Sequence, residues 1–163
     1  MQQAVKSLQQ ALAIFLLSAV VALIVNQLRP HKLPWIGDWT LESQLALDSG
    51  DNLAISLAEA ESFFYAEAAL FLDARSALDF ADGHIEGARS LPWEQFEALA
   101  DEVLREVGPE TIIITYCDGN SCNLSKELAL ALMDRGYVNV RVLVNGWTVW
   151  QERSLPTATG AGP

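Results

Sequence analysis

Residues 111–125 read TIIITYCDGNSCNLS, and this stretch predicts the centre of the fold. The first six residues are β-branched or aromatic, which is typical of a strand buried on both faces of a sheet. The polar residues from 117 to 123 then predict a loop around Gly119. A helical pattern follows over residues 124–134, and Gly136 suits the end of that helix. The stretch therefore predicts a buried strand, a loop and a helix in direct succession.

Short apolar runs and helical patterns alternate along the rest of the chain. Strands are predicted at residues 55–57, 69–73, 88–91, 111–116 and 138–144. Helices are predicted at residues 57–65, capped by Ser56, and at 76–80, 93–107, 124–134 and 147–152. Such alternation indicates an α/β fold with a parallel sheet and right-handed crossovers.

Cys117 follows the predicted central strand directly. The functional loops of a parallel sheet lie at the carboxyl ends of its strands, where the next helix presents its N-terminus. Unpaired N–H groups and the positive end of a helix dipole favour a thiolate over a thiol. The same groups would hold a sulfur anion attached to the cysteine. Cys117 is therefore the candidate nucleophile.

Further motifs surround this position in the sequence. They are Asp73-Ala74-Arg75, Gly83-His84-Ile85-Glu86-Gly87-Ala88, Leu91-Pro92, Tyr116-Cys117 and Asn145-Gly146-Trp147. Together they resemble a rhodanese-type domain over about residues 55–156. The resemblance implies a central five-stranded parallel sheet flanked by helices, and a cysteine that carries sulfane sulfur as a persulfide, without a cofactor. The implied partners are a small sulfur donor and a thiol or protein acceptor.

On this resemblance Cys117 is the catalytic residue. The implied anion-binding loop consists of Asp118, Gly119, Asn120, Ser121 and Asn123. Typical members of the family have an arginine in this loop, whereas residues 117–125 contain no Lys or Arg. A loop with an aspartate and no cation is expected to bind the thiosulfate dianion poorly. We therefore expect polysulfide or a persulfide as the sulfur donor. The missing arginine also argues against phosphatase and arsenate-reductase chemistry, in which an arginine clamps the oxyanion.

The second cysteine, Cys122, leaves two alternative functions open. It could resolve a persulfide or sulfenate on Cys117 by forming an intramolecular disulfide, which would make the chain a dithiol redox or persulfide sensor. The missing arginine favours the other alternative, a catalytically inactive rhodanese-like module that binds a partner protein. Cys122 could also be simply a small, partly buried residue without a chemical function.

Three further residues near the predicted site have structural explanations. Asp73 and Arg75 lie at a strand end, where an ion pair could fix the sheet edge. His84 stands beside a turn and is expected to bond to the nearby backbone instead of acting as a base. No metal is expected, because two cysteines without a neighbouring histidine do not complete a zinc site.

The N-terminal region carries a long apolar segment. Residues 7–28 contain no charge and would span roughly 33 Å as a helix, enough for a hydrocarbon core of about 30 Å. We expect a retained anchor that contacts membrane lipid; a cleaved signal peptide and a soluble helix are the alternatives. The predicted parts are a transmembrane anchor at 1–29, a juxtamembrane linker at 30–52, a rhodanese-like domain at 53–156 and a flexible tail at 157–163.

The distribution of charge bears on two questions, the orientation in the membrane and the binding partners. The flanking charges are nearly balanced and do not fix the orientation of a single-pass protein, for which a bacterial inner membrane is expected. A free thiol slightly favours a cytoplasmic domain. Residues 38–163 contain 21 acidic and 7 basic residues, a net charge of −14. So acidic a domain is not expected to bind nucleic acid.

Overall fold

The computed structural model of the chain describes residues 2–28, 45, 52–119 and 123–160. These belong to two compact units, Met1–Asp38 and Trp39–Pro163. The first unit contains helix α1 (Gln2–Leu28), in which the segment Gln9–Gln27 is long and apolar enough to cross a membrane. A signal sequence has the same length and composition, so this helix is a candidate span.

The second unit alternates strands and helices, as predicted. Its strands are β1 (Ala54–Ile55), β2 (Ala69–Asp73), β3 (His84–Ile85), β4 (Arg89–Ser90), β5 (Ile112–Tyr116), β6 (Val140–Leu143) and β7 (Thr157–Ala158). Its helices are α2 (Leu57–Tyr65), α3 (Ala77–Asp82), α4 (Phe96–Val103), α5 (Leu124–Asp134) and α6 (Gly146–Glu152). A single 3₁₀ turn, Trp93–Gln95, precedes α4.

Five of the strands form one parallel sheet in the order β1-β6-β5-β2-β4. The predicted five-stranded parallel sheet with flanking helices is therefore confirmed. The most strand-like run of the sequence, β5, lies at the centre. Because successive side chains of a strand point to opposite faces, Ile113 and Cys117 join one apolar cluster. Ile114 and Tyr116 join the other cluster.

Local signals explain where several elements begin and end. Ser56 caps α2 as predicted: its hydroxyl accepts from the Glu59 N–H at 3.3 Å, and the Glu59 carboxylate accepts from the Ser56 N–H at 3.2 Å. At the start of α6 the chain passes so close to β5 that only glycine fits. A Cβ on Gly146 would lie 2.6 Å from the Tyr116 Cβ.

Some predicted boundaries differ from the structure. The helix expected over residues 93–107 is a 3₁₀ turn followed by α4, which ends at Val103 ahead of Gly108 and Pro109. Gly108 and Pro109 prevent a helix from continuing beyond this region. The helix itself ends earlier, and the chain leaves it in a turn in which the Val107 N–H donates to the Leu104 carbonyl at 2.9 Å.

The tail expected to be flexible from residue 157 is instead partly ordered. Strand β7 pairs antiparallel with β3, in the register His84↔Ala158 and Ile85↔Thr157. The Gly160 N–H also donates to the Ala81 carbonyl at 2.8 Å. Backbone pairing thus fixes the chain through residue 160. The linker predicted at 30–52 lies mostly outside the described residues.

Candidate active site

The carboxyl ends of three central strands meet at one edge of the sheet. Asp73 of β2 pairs with Tyr116 of β5, and Tyr116 pairs with Leu143 of β6. The residues that follow these strands, including Arg75, Cys117 and Asn145, therefore lie at that same edge. This is where a parallel sheet is expected to carry its functional loops.

Cys117 is completely buried beneath this edge, with 0% of its surface exposed. Its sulfur lies 3.2 Å from the Ser125 hydroxyl in the first turn of α5, and its carbonyl accepts from the Trp147 N–H at 3.1 Å. The sequence predicts a thiolate at this position. The structure instead has Cys117 disulfide-bonded, a state without a thiol to ionise. Any nucleophilic role therefore requires prior reduction.

The described part of the predicted anion-binding loop is held by α6 and the residue before it. Gly119 has a φ of +82°, a left-handed conformation that glycine readily adopts, and its N–H donates to the Asn145 Oδ1 at 2.8 Å. The Asp118 carboxylate accepts from the Thr148 hydroxyl. Asn123 precedes α5 and its side chain does not cap the helix. Three predicted site residues, Asn120, Ser121 and Cys122, lie outside the described residues.

The predicted ion pair between Asp73 and Arg75 is present and buried. The Arg75 Nη2 donates to the Asp73 Oδ2 at 2.6 Å and to the Gly83 carbonyl at 2.7 Å, and its Nε donates to the same carboxylate. The guanidinium lies 4.7 Å from the centre of the Trp147 ring. Burial would lower the pKa of Arg75, but the hydrogen bonds and charge of Asp73 outweigh it and raise that pKa above its usual value.

Two other buried groups support this edge of the sheet. Burial and the nearby Asp73 charge raise the pKa of Tyr116 far above its usual range, so its phenol stays neutral, and its oxygen accepts from the Ile85 N–H at 3.2 Å. The His84 Nδ1 lies 2.8 Å from the Phe80 carbonyl, and its ring stacks on the Phe80 ring at 3.7 Å. These contacts attach the histidine to α3, consistent with a structural role.

A cavity of about 350 Å³ opens over this edge. Its wall comes from the segment after β2, from α3, from the turn before α4 and from the two ends of the Cys117 loop. The lining residues are Ala74, Arg75, Ser76, Asp79, Pro92, Trp93, Glu94, Gln95, Asp118 and Leu124. Cys117 and Ala74 belong to the same apolar cluster, and Leu124 packs against that cluster. Because Asp118, the residue after Cys117, also lines the cavity, the cavity lies beside the Cys117 loop.

The structure adds residues to those predicted from the sequence. Ser125 faces the sulfur, Asn145 and Thr148 hold the loop, and Trp93 lines the cavity. The sequence contained a signal for Ser125, because a residue in the first turn of the helix after the loop must lie near Cys117. Among the residues with described positions, no group of three or more His, Cys, Asp or Glu could hold a metal ion.

The fold and the position of the cysteine agree with a comparison of the chain with known protein families. A family model for the rhodanese-like domain matches residues 56–153, which is more than half of the chain. The chain therefore belongs to the rhodanese-like domain family. Its predicted resemblance to that family is confirmed by this match.

Solved structures with the same fold come from several proteins. The BH2092 protein from Bacillus halodurans is 23% identical with a TM-score of 0.58, and the match covers 67% of this chain and 78% of that protein. The thiosulfate sulfurtransferase from Pseudomonas aeruginosa is 28% identical with a TM-score of 0.53, over 63% of this chain and 19% of that enzyme. EanB, in a structure with a cysteine persulfide and ergothioneine, is 23% identical with a TM-score of 0.56, over 65% of this chain and 28% of EanB.

Proposed function

We propose that this chain is a sulfurtransferase that carries sulfane sulfur as a persulfide on Cys117. The observation that carries the proposal is the position of Cys117 at the carboxyl end of the central strand, beside a cavity and 3.2 Å from the Ser125 hydroxyl. Membership of the rhodanese-like family and the similarity to a thiosulfate sulfurtransferase support it. In the reduced protein, the Ser125 hydroxyl can donate to the sulfur and favour the thiolate.

The proposed reaction has two displacements at sulfur. The Cys117 thiolate attacks the outer sulfur of a polysulfide or persulfide donor; a new S–S bond forms, and the donor leaves as the thiolate shortened by one sulfur. The thiolate of the acceptor then attacks the outer sulfur of the Cys117 persulfide. The acceptor leaves as a persulfide and Cys117 returns as a thiolate, so no net oxidant is needed.

A persulfide or polysulfide donor suits the charges better than thiosulfate does. Residues 117–125 contain no cation. Arg75 lines the cavity, but its guanidinium is already bonded to Asp73. A dianion would therefore approach exposed carboxylates without gaining an unshared positive partner.

The disulfide at Cys117 favours a second candidate function, a dithiol redox or persulfide sensor. The chain has two cysteines, so we infer that the partner within the chain is Cys122. In this function a thiol reductant opens the bond to give two thiols and is itself oxidised to a disulfide. The Cys122 thiolate later attacks the inner sulfur of a Cys117 persulfide; the disulfide between Cys117 and Cys122 forms, and the outer sulfur leaves as hydrosulfide. Both functions use the same sulfur and differ in what Cys122 does.

The test is the mass of the protein after treatment with polysulfide. We expect the reduced chain, freed of reductant, to gain the mass of one sulfur atom at Cys117. A chain that returns to the disulfide without a retained sulfur would favour the sensor. A reduced chain that neither gains sulfur nor closes the disulfide would contradict both functions and favour the inactive protein-binding module.

We further propose that α1 anchors the protein in a membrane, as a single span that contacts lipid. The segment Gln9–Gln27 supports this proposal by its length and composition. The slight preference for a cytoplasmic domain rests on the thiol chemistry of the active state. Labelling of intact cells with a membrane-impermeant thiol reagent tests it in the variant Glu110→Cys, which places a thiol at an exposed position of the domain; a cytoplasmic domain stays unlabelled until the cells are lysed.

Leu17→Arg is expected to release a large share of the protein from the membrane. Leu17 lies near the middle of the apolar segment, where an arginine costs about 2.5–3.5 kcal/mol for insertion. Ser7→Arg is the matched control, because residue 7 lies outside that segment. The measurement is the fraction of full-length protein that stays with membranes after a high-salt wash. Equal release of the two variants, or release of the unaltered protein by the wash, would contradict anchoring.

A further inference from the structure

The cavity beside Cys117 has an uneven distribution of charge. Three exposed carboxylates line it, and each comes from a different element: Asp79 from α3, Glu94 from the 3₁₀ turn and Asp118 from the Cys117 loop. Because separate segments bring them together around one opening, their negative fields add within the same small volume.

Hydrogen bonds fix two of these carboxylates without neutralising them. The Ser76 hydroxyl donates to the Asp79 Oδ2 at 2.5 Å, and the Thr148 hydroxyl donates to the Asp118 carboxylate. A neutral hydroxyl orients a carboxylate and leaves its charge in place. Two of the three negative charges at the opening, those of Asp79 and Asp118, are therefore held in position by hydrogen bonds.

Positive charge in the wall does not balance them. Among the lining residues, Arg75 is the one cation, and the buried Asp73 is bonded to it at 2.6 Å. Residues 119–125, which complete the loop and begin α5, contain no charged side chain. The opening therefore has a net negative charge next to an apolar surface formed by Trp93, Pro92 and Leu124.

We infer that the acceptor of sulfur from Cys117 is a small thiol with a cationic group close to its sulfur, such as an aminothiol. The inference rests on the proposed sulfurtransferase function and names the substrate class of that same site. A cavity of about 350 Å³ accommodates a small molecule of this kind. The carboxylates attract the cation, and acceptors with a carboxylate are repelled.

The experiment compares three acceptors of similar size: cysteamine, 2-mercaptoethanol and 3-mercaptopropionate. The full-length protein is reduced, loaded with sulfur from polysulfide and mixed with each thiol, and the rate of persulfide loss is measured at low ionic strength. Thiols differ in intrinsic reactivity, so the decisive quantity is the ratio of the cysteamine rate to the 3-mercaptopropionate rate, compared between variants.

We expect Glu94→Gln to lower this ratio about threefold, and the triple variant Asp79→Asn/Glu94→Gln/Asp118→Asn to lower it about tenfold. Raising the salt concentration should shrink both effects. Glu110→Gln is the control: it removes the same charge, but Glu110 precedes β5 and so lies at the opposite edge of the sheet.

The possible results separate the two proposals. A ratio that falls in the cavity variants and not in Glu110→Gln supports the inference. A ratio that is the same in all variants overturns it and leaves the sulfurtransferase function in place. A protein that accepts no sulfur from polysulfide, or passes none to any of the three thiols, overturns the sulfurtransferase function and the inference together.

Discussion

Arg75→Met is expected to lower the free energy of unfolding by about 3–5 kcal/mol, because it leaves a buried charge without its partner. Asp73 is 0% exposed, and its carboxylate oxygens accept from the Arg75 guanidinium at distances between 2.6 and 3.1 Å. The variant also removes the donor to the Gly83 carbonyl and the cation over the Trp147 ring. Methionine fills much of the same space, so the loss reflects charge and hydrogen bonding.

Arg135→Met is the matched control for this prediction. Arg135 also contacts two carboxylates and an aromatic ring, but the side chains of Glu97 and Asp101 are 89% and 91% exposed. Such exposed pairs contribute about 0–1 kcal/mol. The measurement is denaturant unfolding of the full chain with the disulfide intact in both variants. Equal losses in the two variants would show that the burial of the Asp73 pair is not what matters.

A double variant separates the cost of an unpaired charge from the value of the pair. In Asp73→Leu/Arg75→Met both charges are gone, and replacing a buried pair by apolar side chains often has little net cost. We therefore expect the double variant to be more stable than Arg75→Met alone. If it is less stable, the hydrogen bonds to the backbone around the pair outweigh the buried charge.

The central part of the fold could be predicted from local sequence alone. An unbroken β-branched run predicted β5, and Ser56 predicted the N-cap of α2, because both signals act over a few residues. Cys117 could be placed at the sheet edge for the same reason. When a strand, a loop and a helix follow one another in a parallel sheet, the loop must lie at the carboxyl end of the strand.

Features that depend on distant parts of the chain could not be predicted in this way. The pairing of β7 with β3 joins residues more than 70 positions apart, and the small, glycine-containing tail gives no local sign of it. The cavity could not be predicted locally either, because its three carboxylates come from separate segments that only the folded chain brings together. The disulfide state of Cys117 also depends on redox conditions, which the sequence pattern does not encode.

Cys117→Ser is expected to lower the rate of sulfur transfer by at least about 10³-fold, because a serine hydroxyl is a far weaker nucleophile than a thiolate and cannot form a persulfide. The measurement is transfer from polysulfide to a thiol by protein that has first been reduced. Serine is nearly the same size as cysteine, so the buried site beside Ser125 should tolerate it. Unfolding curves of the two reduced proteins check this point. Transfer that survives the substitution would assign the chemistry to another residue.

Cys122→Ser is the matched variant, and its behaviour distinguishes a sulfurtransferase from a sensor. If Cys122 closes the disulfide with Cys117, removing it leaves Cys117 without an intrachain partner, so transfer should no longer require prior reduction. The rate after reduction should stay within about twofold of the unaltered protein, because Cys117 still carries the sulfur. A sensor would respond differently: its release of hydrosulfide from the Cys117 persulfide would stop, since that step uses the Cys122 thiolate. Measuring hydrosulfide release and transfer to an added thiol on the same sample therefore assigns the role of Cys122 directly.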